Sequence, residues 1–288
     1  MKTFPLGSHV VNRIGFGAMQ LPGPGVFGPP RNHDEAINVL RHAVESGVNH
    51  IDTAEFYGPR VANELIREAL HPYPDDLVLV SKVGATRDDH GAWLPSQRPD
   101  QLRSAVEDNL RTLGVDQLGA VNLRLHPEHD LAPDQRVSLE DQLTEMMSLR
   151  DEGKIANIGI STANANQVET ALRQAGIVCV QNAFSLLDQS DADTLDICEQ
   201  HGIAYVPYFP LGSAFPGMPK VTENSTVKKV GERIGVTPAQ VGLAWLLSRS
   251  DNILLIPGTS SLAHLEENLN VADIVLSTED IAELNSVA

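Results

Sequence analysis

Residues 175–182 read AGIVCVQN: a helix-like segment closes on Gly176, and an unbroken apolar run, 177–180, follows it. Glycine just past a helix accepts the left-handed conformation that ends the last turn. A short, continuously apolar run is the pattern of a parallel strand buried on both faces. The same punctuation recurs at SGVNHID (Gly47), LGVDQLGAVNL (Gly114), EGKIANIGIS (Gly153) and HGIAYVPY (Gly202). Outward from these points the pattern predicts eight strands, centred near 14–17, 49–53, 77–82, 120–125, 158–161, 178–182, 204–208 and 253–257. Helical periods separate them. Ile37, Leu40 and Val44 share one face, as do Leu102, Val106, Leu110 and Leu113 in a helix with Pro99 near its start. The run 241–247 around Trp245 is apolar nearly all round, which predicts a well-buried helix.

Eight strands alternating with helices predict a closed (β/α)8 TIM barrel of α/β class. An open doubly wound sheet would announce itself by a G-x-G-x-x-G turn after the first strand. Here that position holds GAMQLPGPGVFGPP, without the spacing and with prolines that oppose a tight turn into a helix. One domain, 1–288, is expected, opened by a β-hairpin of 3–6 with 9–11 that turns at Gly7 and Ser8 and plugs the bottom of the barrel.

Composition narrows the partners. The net charge is −17, from 21 Lys and Arg against 38 Asp and Glu, with no basic run. That argues against nucleic acid or an anionic membrane as partner. No stretch approaches the roughly 20 apolar residues of a membrane span, and MKTFPLGSHV lacks the apolar core of a signal peptide. The two cysteines, Cys179 and Cys198, show neither metal-ligand spacing nor a disulfide framework. A cytoplasmic protein without a metal site is expected, monomeric by default for this fold.

In such barrels the active site lies at the C-terminal ends of the strands. Asp52 ends the second strand in HIDTAEFYG, Tyr57 follows in its loop, Lys82 ends the third in LVSKVG, and His126 ends the fourth in NLRLHPE. Neighbouring strands bring these four together. A carbonyl that receives hydride needs a proton, and a tyrosine hydroxyl can give it, although its ordinary pKa is about 10. A nearby ammonium lowers that value and is itself held by a carboxylate. Asp52, Lys82 and Tyr57 supply that chain, and His126 can orient the carbonyl oxygen. A strand-end Asp–Lys pair alone is more often structural; four such residues at matching ends reverse that weighting.

The motifs IDTAEFYG, LVSKVG, NLRLH, IGIS, VQNAFS, VPYFPLGS and IPGTSSLAHLEENL, in this order, resemble the aldo-keto reductase superfamily over nearly the whole chain. The resemblance implies that Asp52, Tyr57, Lys82 and His126 form the catalytic tetrad. It implies NADPH as cofactor, with NADH as the weaker second choice, and a small-molecule carbonyl substrate. Gly17, Ala18 and Met19 match the segment beside the nicotinamide ribose. Ser161 and Gln181 match the holders of the carboxamide, with Asp52 close by. Tyr208 matches the aromatic that stacks on the nicotinamide, and Leu211 and Gly212 line the pyrophosphate. Gly258, Thr259, Ser260, Ser261, His264, Glu267 and Asn268 match the segment that holds the adenosine phosphate and adenine.

Four positions depart from the family pattern. Thr162 stands where many members have Asn, and Phe209 where a small Ser is common. Gly258 and His264 replace the Lys and Arg that grip a 2′-phosphate. Phe27 and Trp93 sit in loops leaving the catalytic end, which makes them candidate walls of a substrate slot alongside Tyr57 and His126. Arg87 and Arg98 are the nearby candidates for a substrate phosphate. GAMQLPGPGVFGPP and FYGPRVANELIREAL further resemble a bacterial subgroup that includes pyridoxal reductases, which implies pyridoxal as the favoured substrate. A broad-specificity aldehyde reductase is the alternative enzyme. A redox-sensing accessory subunit is the alternative outside catalysis.

Overall fold

The structure, a computed structural model, describes residues 2–212 and 219–287. The chain begins with the expected hairpin: β1 (Thr3–Leu6) and β2 (His9–Asn12) pair antiparallel, Thr3 opposite Asn12 and Leu6 opposite His9. Then come β3 (Phe16–Gly17), β4 (His50–Asp52), β5 (Val78–Val83), a second hairpin of β6 (Ala85–Arg87) and β7 (Trp93–Pro95), and β8 (Ala120–Arg124), β9 (Ile158–Ser161), β10 (Cys179–Gln181) and β11 (Ala204–Tyr205). Seven of these form one parallel sheet in the order β11-β10-β9-β8-β5-β4-β3.

The eighth strand, expected at 253–257, does not form a ladder of its own. It makes single parallel bridges to both sheet edges, Ile253 to Tyr205 and Leu255 to Ile14. The Leu254 N–H bonds to Tyr205 O at 3.0 Å, the Leu255 N–H to Arg13 O at 2.8 Å, and the Gly15 N–H to Leu255 O at 2.8 Å. These bonds close the sheet on itself. Pro257 follows directly and has no N–H with which to extend them.

Local chemistry explains the helices that wrap the ring. Helix Ala165–Ala175 starts in a capping box between Asn164 and Gln167 and ends at Gly176, whose φ is 62° and whose N–H bonds to Leu172 O. Helix Pro99–Leu113 has proline in its first turn and the left-handed Gly114 beyond its end. Trp245, on helix Pro238–Arg249, is fully buried and stacks on Phe184 with centroids 6.2 Å apart. At the bottom of the barrel, Leu6 and Val11 of the opening hairpin join Val78, Val80, Ala120, Cys179, Ala204 and Leu254 in one apolar cluster. The hairpin therefore seals the floor. Among the described residues no helix is long and apolar enough to cross a membrane.

One interior residue sets an acid limit on stability. His50 is 2% exposed, and neither ring nitrogen has a hydrogen-bond partner among the described residues. Burial pushes its pKa from 6.5 down to about 4. The unfolded chain therefore binds a proton in this window that the folded chain refuses. Stability is full above the unfolded value and falls as pH drops from 6.5 toward 4, by on the order of 3 kcal/mol. In urea unfolding at neutral and mildly acid pH, His50→Leu should show a shallower loss than the parent. Equal losses in the two proteins would remove His50 from this role.

Candidate active site

Three strand ends and one loop meet at the C-terminal mouth. Asp52 closes β4 and Lys82 lies near the end of β5, next to it in the sheet. The Lys82 ammonium donates to Asp52 Oδ1 at 2.5 Å and to the Thr53 carbonyl at 2.9 Å. Asp52 Oδ2 accepts from Gln181 Nε2 at 2.9 Å. The carboxylate thus ties β4, β5 and β10 together. Tyr57 follows a turn in which its N–H bonds to Ala54 O, and its carbonyl accepts from Ala62 N as helix Val61–Leu70 begins. This brings the buried Tyr57 ring to 4.9 Å from Lys82 Nζ.

Electrostatics refine the expected chemistry. Burial raises the Tyr57 pKa, and the Lys82 charge and hydrogen bond lower it without cancelling that rise. The expectation of a net lowering is corrected: desolvation of the phenolate is the larger effect. Burial lowers the Lys82 pKa, but Asp52 and Tyr57 outweigh it, so the ammonium keeps its proton. His126 lies half-buried two residues past the end of β8. Burial, and then the charge of Arg124, push its pKa down to about 4. At neutral pH the mouth therefore holds a protonated phenol, a charged lysine and a neutral imidazole.

The remaining expected residues surround this centre. Ser161 and Gln181 close β9 and β10 and are buried, and Gln181 Oε1 has no partner among the described residues. Tyr208 sits past β11, its hydroxyl 3.5 Å from Thr162 Oγ1. Thr162 and Phe209, both departures from the family pattern, have φ of 58° and 53°. A β-branched or bulky residue in this left-handed region is strained, whereas Asn tolerates it. Gly17, Ala18 and Met19 run from β3 into a single helical turn, Ala18–Gln20. Leu211 packs against the core, and Gly212 follows with φ of 84°. A side chain on Gly212 would strike Pro219 O.

The segment expected to hold the adenosine phosphate lies beside Gly17. A Cβ on Gly258 would stand 2.4 Å from Gly17 O, and one on Gly17 would stand 2.4 Å from Ile256 O. The two backbones touch, so a side chain at Gly258 would require one of them to shift. Thr259 is buried, and its Oγ1 accepts from Ser261 N at 3.0 Å. Ser260 is exposed. Ser261 starts helix Leu262–Leu269 without a side-chain cap bond, so the first-turn N–H groups have no hydroxyl cap. His264 is exposed in the first turn of that helix, and Glu267 and Asn268 lie further along it.

The loops over the mouth are more ordered than the sequence suggested. The stretch after β5 is the β6–β7 hairpin, with Arg87 opposite Trp93. Trp93 lies 6.5 Å from the Tyr57 ring and 5.5 Å from Phe56, edge-on to both. Phe27 behaves differently: it packs under Arg87, at 5.4 Å, and would touch any side chain placed on Gly91. Among the described residues the ring neighbours of Tyr57 are Phe56 and Trp93. Arg87 donates to the carbonyls of Gly91, Val26 and Gly25, tying the two loops. Arg98 pairs with Asp100 and Asp134. Sequence reading missed Phe56, the tie made by Arg87, and Arg124. For Arg124 a signal existed: it stands two residues before His126, on the same side of an extended chain.

Known proteins share this fold. A model described as the Aldo/keto reductase family matches residues 13–288. The chain belongs to that family. It is 49% identical over 286 residues, 99% of this chain and 98% of the relative, to the pyridoxine 4-dehydrogenase of Escherichia coli (strain K12). Among solved structures, a thermostable aldo-keto reductase in complex with the inhibitor epalrestat superposes with a TM-score of 0.82 at 28% identity, covering 100% of both chains. An aldo/keto reductase from Klebsiella pneumoniae, in complex with NADP and acetate, gives a TM-score of 0.81 at 27% identity over 99% of this chain and 95% of its own. As an aldo/keto reductase, the chain is an oxidoreductase of the carbonyl–alcohol couple.

Proposed function

We propose that this aldo/keto reductase uses NADPH to reduce a small aldehyde, pyridoxal first, to its alcohol. The observation that carries the reading is the Asp52–Lys82 pair beside the Tyr57 ring, with a neutral His126 just past the end of β8, the strand next to β5. The 49% identical relative supports pyridoxal as the aldehyde. NADPH, when bound, supplies the hydride. The chain's own residues handle the proton and the charge. Tyr57 gives its hydroxyl proton to the carbonyl oxygen, and the Lys82 ammonium steadies the phenolate left behind. Asp52 keeps that ammonium charged and in place. Neutral His126 borders the same oxygen and helps to orient the carbonyl.

The groups around the centre fit a nicotinamide cofactor. The backbones of Gly17 and Gly258 abut, so no side chain projects from either position into the space beside the nicotinamide segment. The unpartnered Gln181 Oε1 offers an acceptor to a carboxamide, with Ser161 beside it. Tyr208 supplies a ring for stacking, and Leu211 and Gly212 border the pyrophosphate. Thr259, Ser260, Ser261 and the open helix start, with His264, Glu267 and Asn268 beyond, take the adenosine end. Trp93 walls the substrate slot, and Phe27 backs it through Arg87. We further read the chain as one domain over 1–288, a cytoplasmic monomer. Its two thiols are free and buried, which suits a reducing compartment.

The cofactor reading has a direct test. An imidazole offers less to a phosphate dianion than a bidentate guanidinium. His264→Arg should therefore tighten NADPH about tenfold and leave NADH nearly unchanged. Gly258→Lys should not tighten NADPH, because its Cβ would collide with Gly17 O. Fluorescence titration of both cofactors decides this; an equal response of NADPH and NADH to His264→Arg places the 2′-phosphate elsewhere.

The substrate reading is tested by kcat/KM for pyridoxal beside pyridoxal 5′-phosphate and short aliphatic aldehydes. Pyridoxal should lead. Its phosphate should be poorer, because Arg87 and Arg98 are already engaged. Trp93→Ala should erode the lead by removing an aromatic wall worth about 0.5–1.5 kcal/mol beyond its area. Faster turnover of short aliphatic aldehydes than of pyridoxal would replace this reading with a broad-specificity reductase.

A further inference from the structure

We propose that Arg124 determines substrate specificity by binding an anionic oxygen carried on the aryl ring beside the aldehyde. The inference rests on the aldehyde-reductase reading above and names the substrate class within it. Arg124 closes β8, and its Nη1 lies 3.5 Å from His126 Nε2. Its guanidinium carbon lies 5.8 Å from the Trp93 ring centroid. Its charge also acts on the Tyr57 and Tyr208 hydroxyls. Arg124 therefore borders the place where a carbonyl sits between Tyr57 and His126.

What sets this cation apart from the others at the mouth is that neither carboxylates nor backbone carbonyls engage its side-chain N–H groups among the described residues. Lys82 is paired with Asp52, Arg87 is held by three carbonyls, and Arg98 by two carboxylates. Arg124, largely withdrawn from solvent, has no carboxylate within 4.0 Å among the described residues, and its side chain's one hydrogen-bond contact is the His126 ring. A guanidinium carries five N–H donors and stays charged. The guanidinium nitrogens without a partner are not sealed from solvent, so they remain reachable by a ligand. A largely withdrawn charge in this state is stabilised by an anion, and the fork geometry suits paired oxygen contacts.

The size of the charge selects the class. One guanidinium balances one negative charge, as on an ionised ring hydroxyl. A phosphate dianion calls for more cations, and Arg87 and Arg98 are engaged elsewhere. With the aldehyde between Tyr57 and His126, a substituent on the neighbouring ring position would come within reach of Arg124, which lies against His126 and Trp93. The favoured substrates are thus aryl aldehydes with an ionised ortho hydroxyl, a class that includes pyridoxal.

The test measures kcat/KM with NADPH for an ortho-hydroxy nitrobenzaldehyde, which ionises near neutral pH, and for its ortho-methoxy counterpart. The parent, Arg124→Leu and Arg124→Lys are compared, with pyridoxal 5′-phosphate as a further arm and NADPH binding followed by fluorescence. The parent should favour the hydroxy aldehyde by about tenfold or more. Arg124→Leu should lose about 10- to 100-fold on it and less than about threefold on the methoxy aldehyde, with unchanged NADPH binding. Arg124→Lys should restore part of the preference. No preference in the parent, an equal loss on both aldehydes, or a phosphate ester favoured through Arg124 overturns the inference alone. A parent that turns over no aldehyde overturns the reductase reading itself.

Discussion

Tyr57→Phe should lower kcat about 10²–10⁴-fold, the usual loss when a general acid is removed, while NADPH binding stays close to that of the parent. The substitution deletes one hydroxyl and keeps the ring, so the edge-on packing against Phe56 and Trp93 survives. Burial raises the Tyr57 pKa and Lys82 limits that rise without reversing it, so the hydroxyl holds the proton it is to give. It is therefore protonated throughout the neutral range, and reduction should slow only as alkaline pH removes that proton. Single-turnover absorbance of NADPH isolates the chemical step. A Tyr57→Phe protein whose single-turnover rate matched the parent would show that the proton comes from another group.

Lys82→Met should be comparably inactive and, unlike Tyr57→Phe, markedly less stable. The change leaves the Asp52 carboxylate buried with Gln181 as its remaining donor. Breaking a buried pair from one side typically costs about 3–5 kcal/mol, and the retained Gln181 bond places this case at the lower end. Adding Asp52→Asn removes the orphaned charge. The double variant should recover most of the stability and none of the rate, as read from urea midpoints beside steady-state turnover. If the double variant regained activity along with stability, the role of Lys82 would be structural.

The barrel was legible because its signals are local and repeat. A glycine at each helix end and an apolar run behind it depend on a few adjacent residues, and the structure places left-handed glycines at 47, 114, 153, 176 and 202. The strand ends are legible for the same reason, so the sequence alone assigns Asp52, Lys82 and His126 to one end of the barrel. The opening hairpin was readable from Gly7, whose φ is 62°. The eighth strand was only half readable. Its apolar run marks its place, but whether it forms a ladder depends on two edges contributed from opposite ends of the chain.

By itself, then, the sequence determined a closed alternation of strands and helices, the catalytic end of that barrel, and the polar residues delivered to it. The tertiary structure decided what those residues are worth chemically. Whether Lys82 lowers the Tyr57 pKa below its ordinary value is a balance between one charge and the burial contributed by every surrounding element, and burial prevails. That Gly258 excludes a lysine depends on its contact with the Gly17 backbone, 241 residues away in the chain. That Trp93 reaches Tyr57 depends on a hairpin whose register periodicity does not encode. That Arg124 lacks a carboxylate depends on where every acidic residue ends up. Periodicity reports which side of an element faces inward; desolvation, pairing and steric exclusion are sums over neighbours far apart in the chain, and only the folded arrangement fixes them.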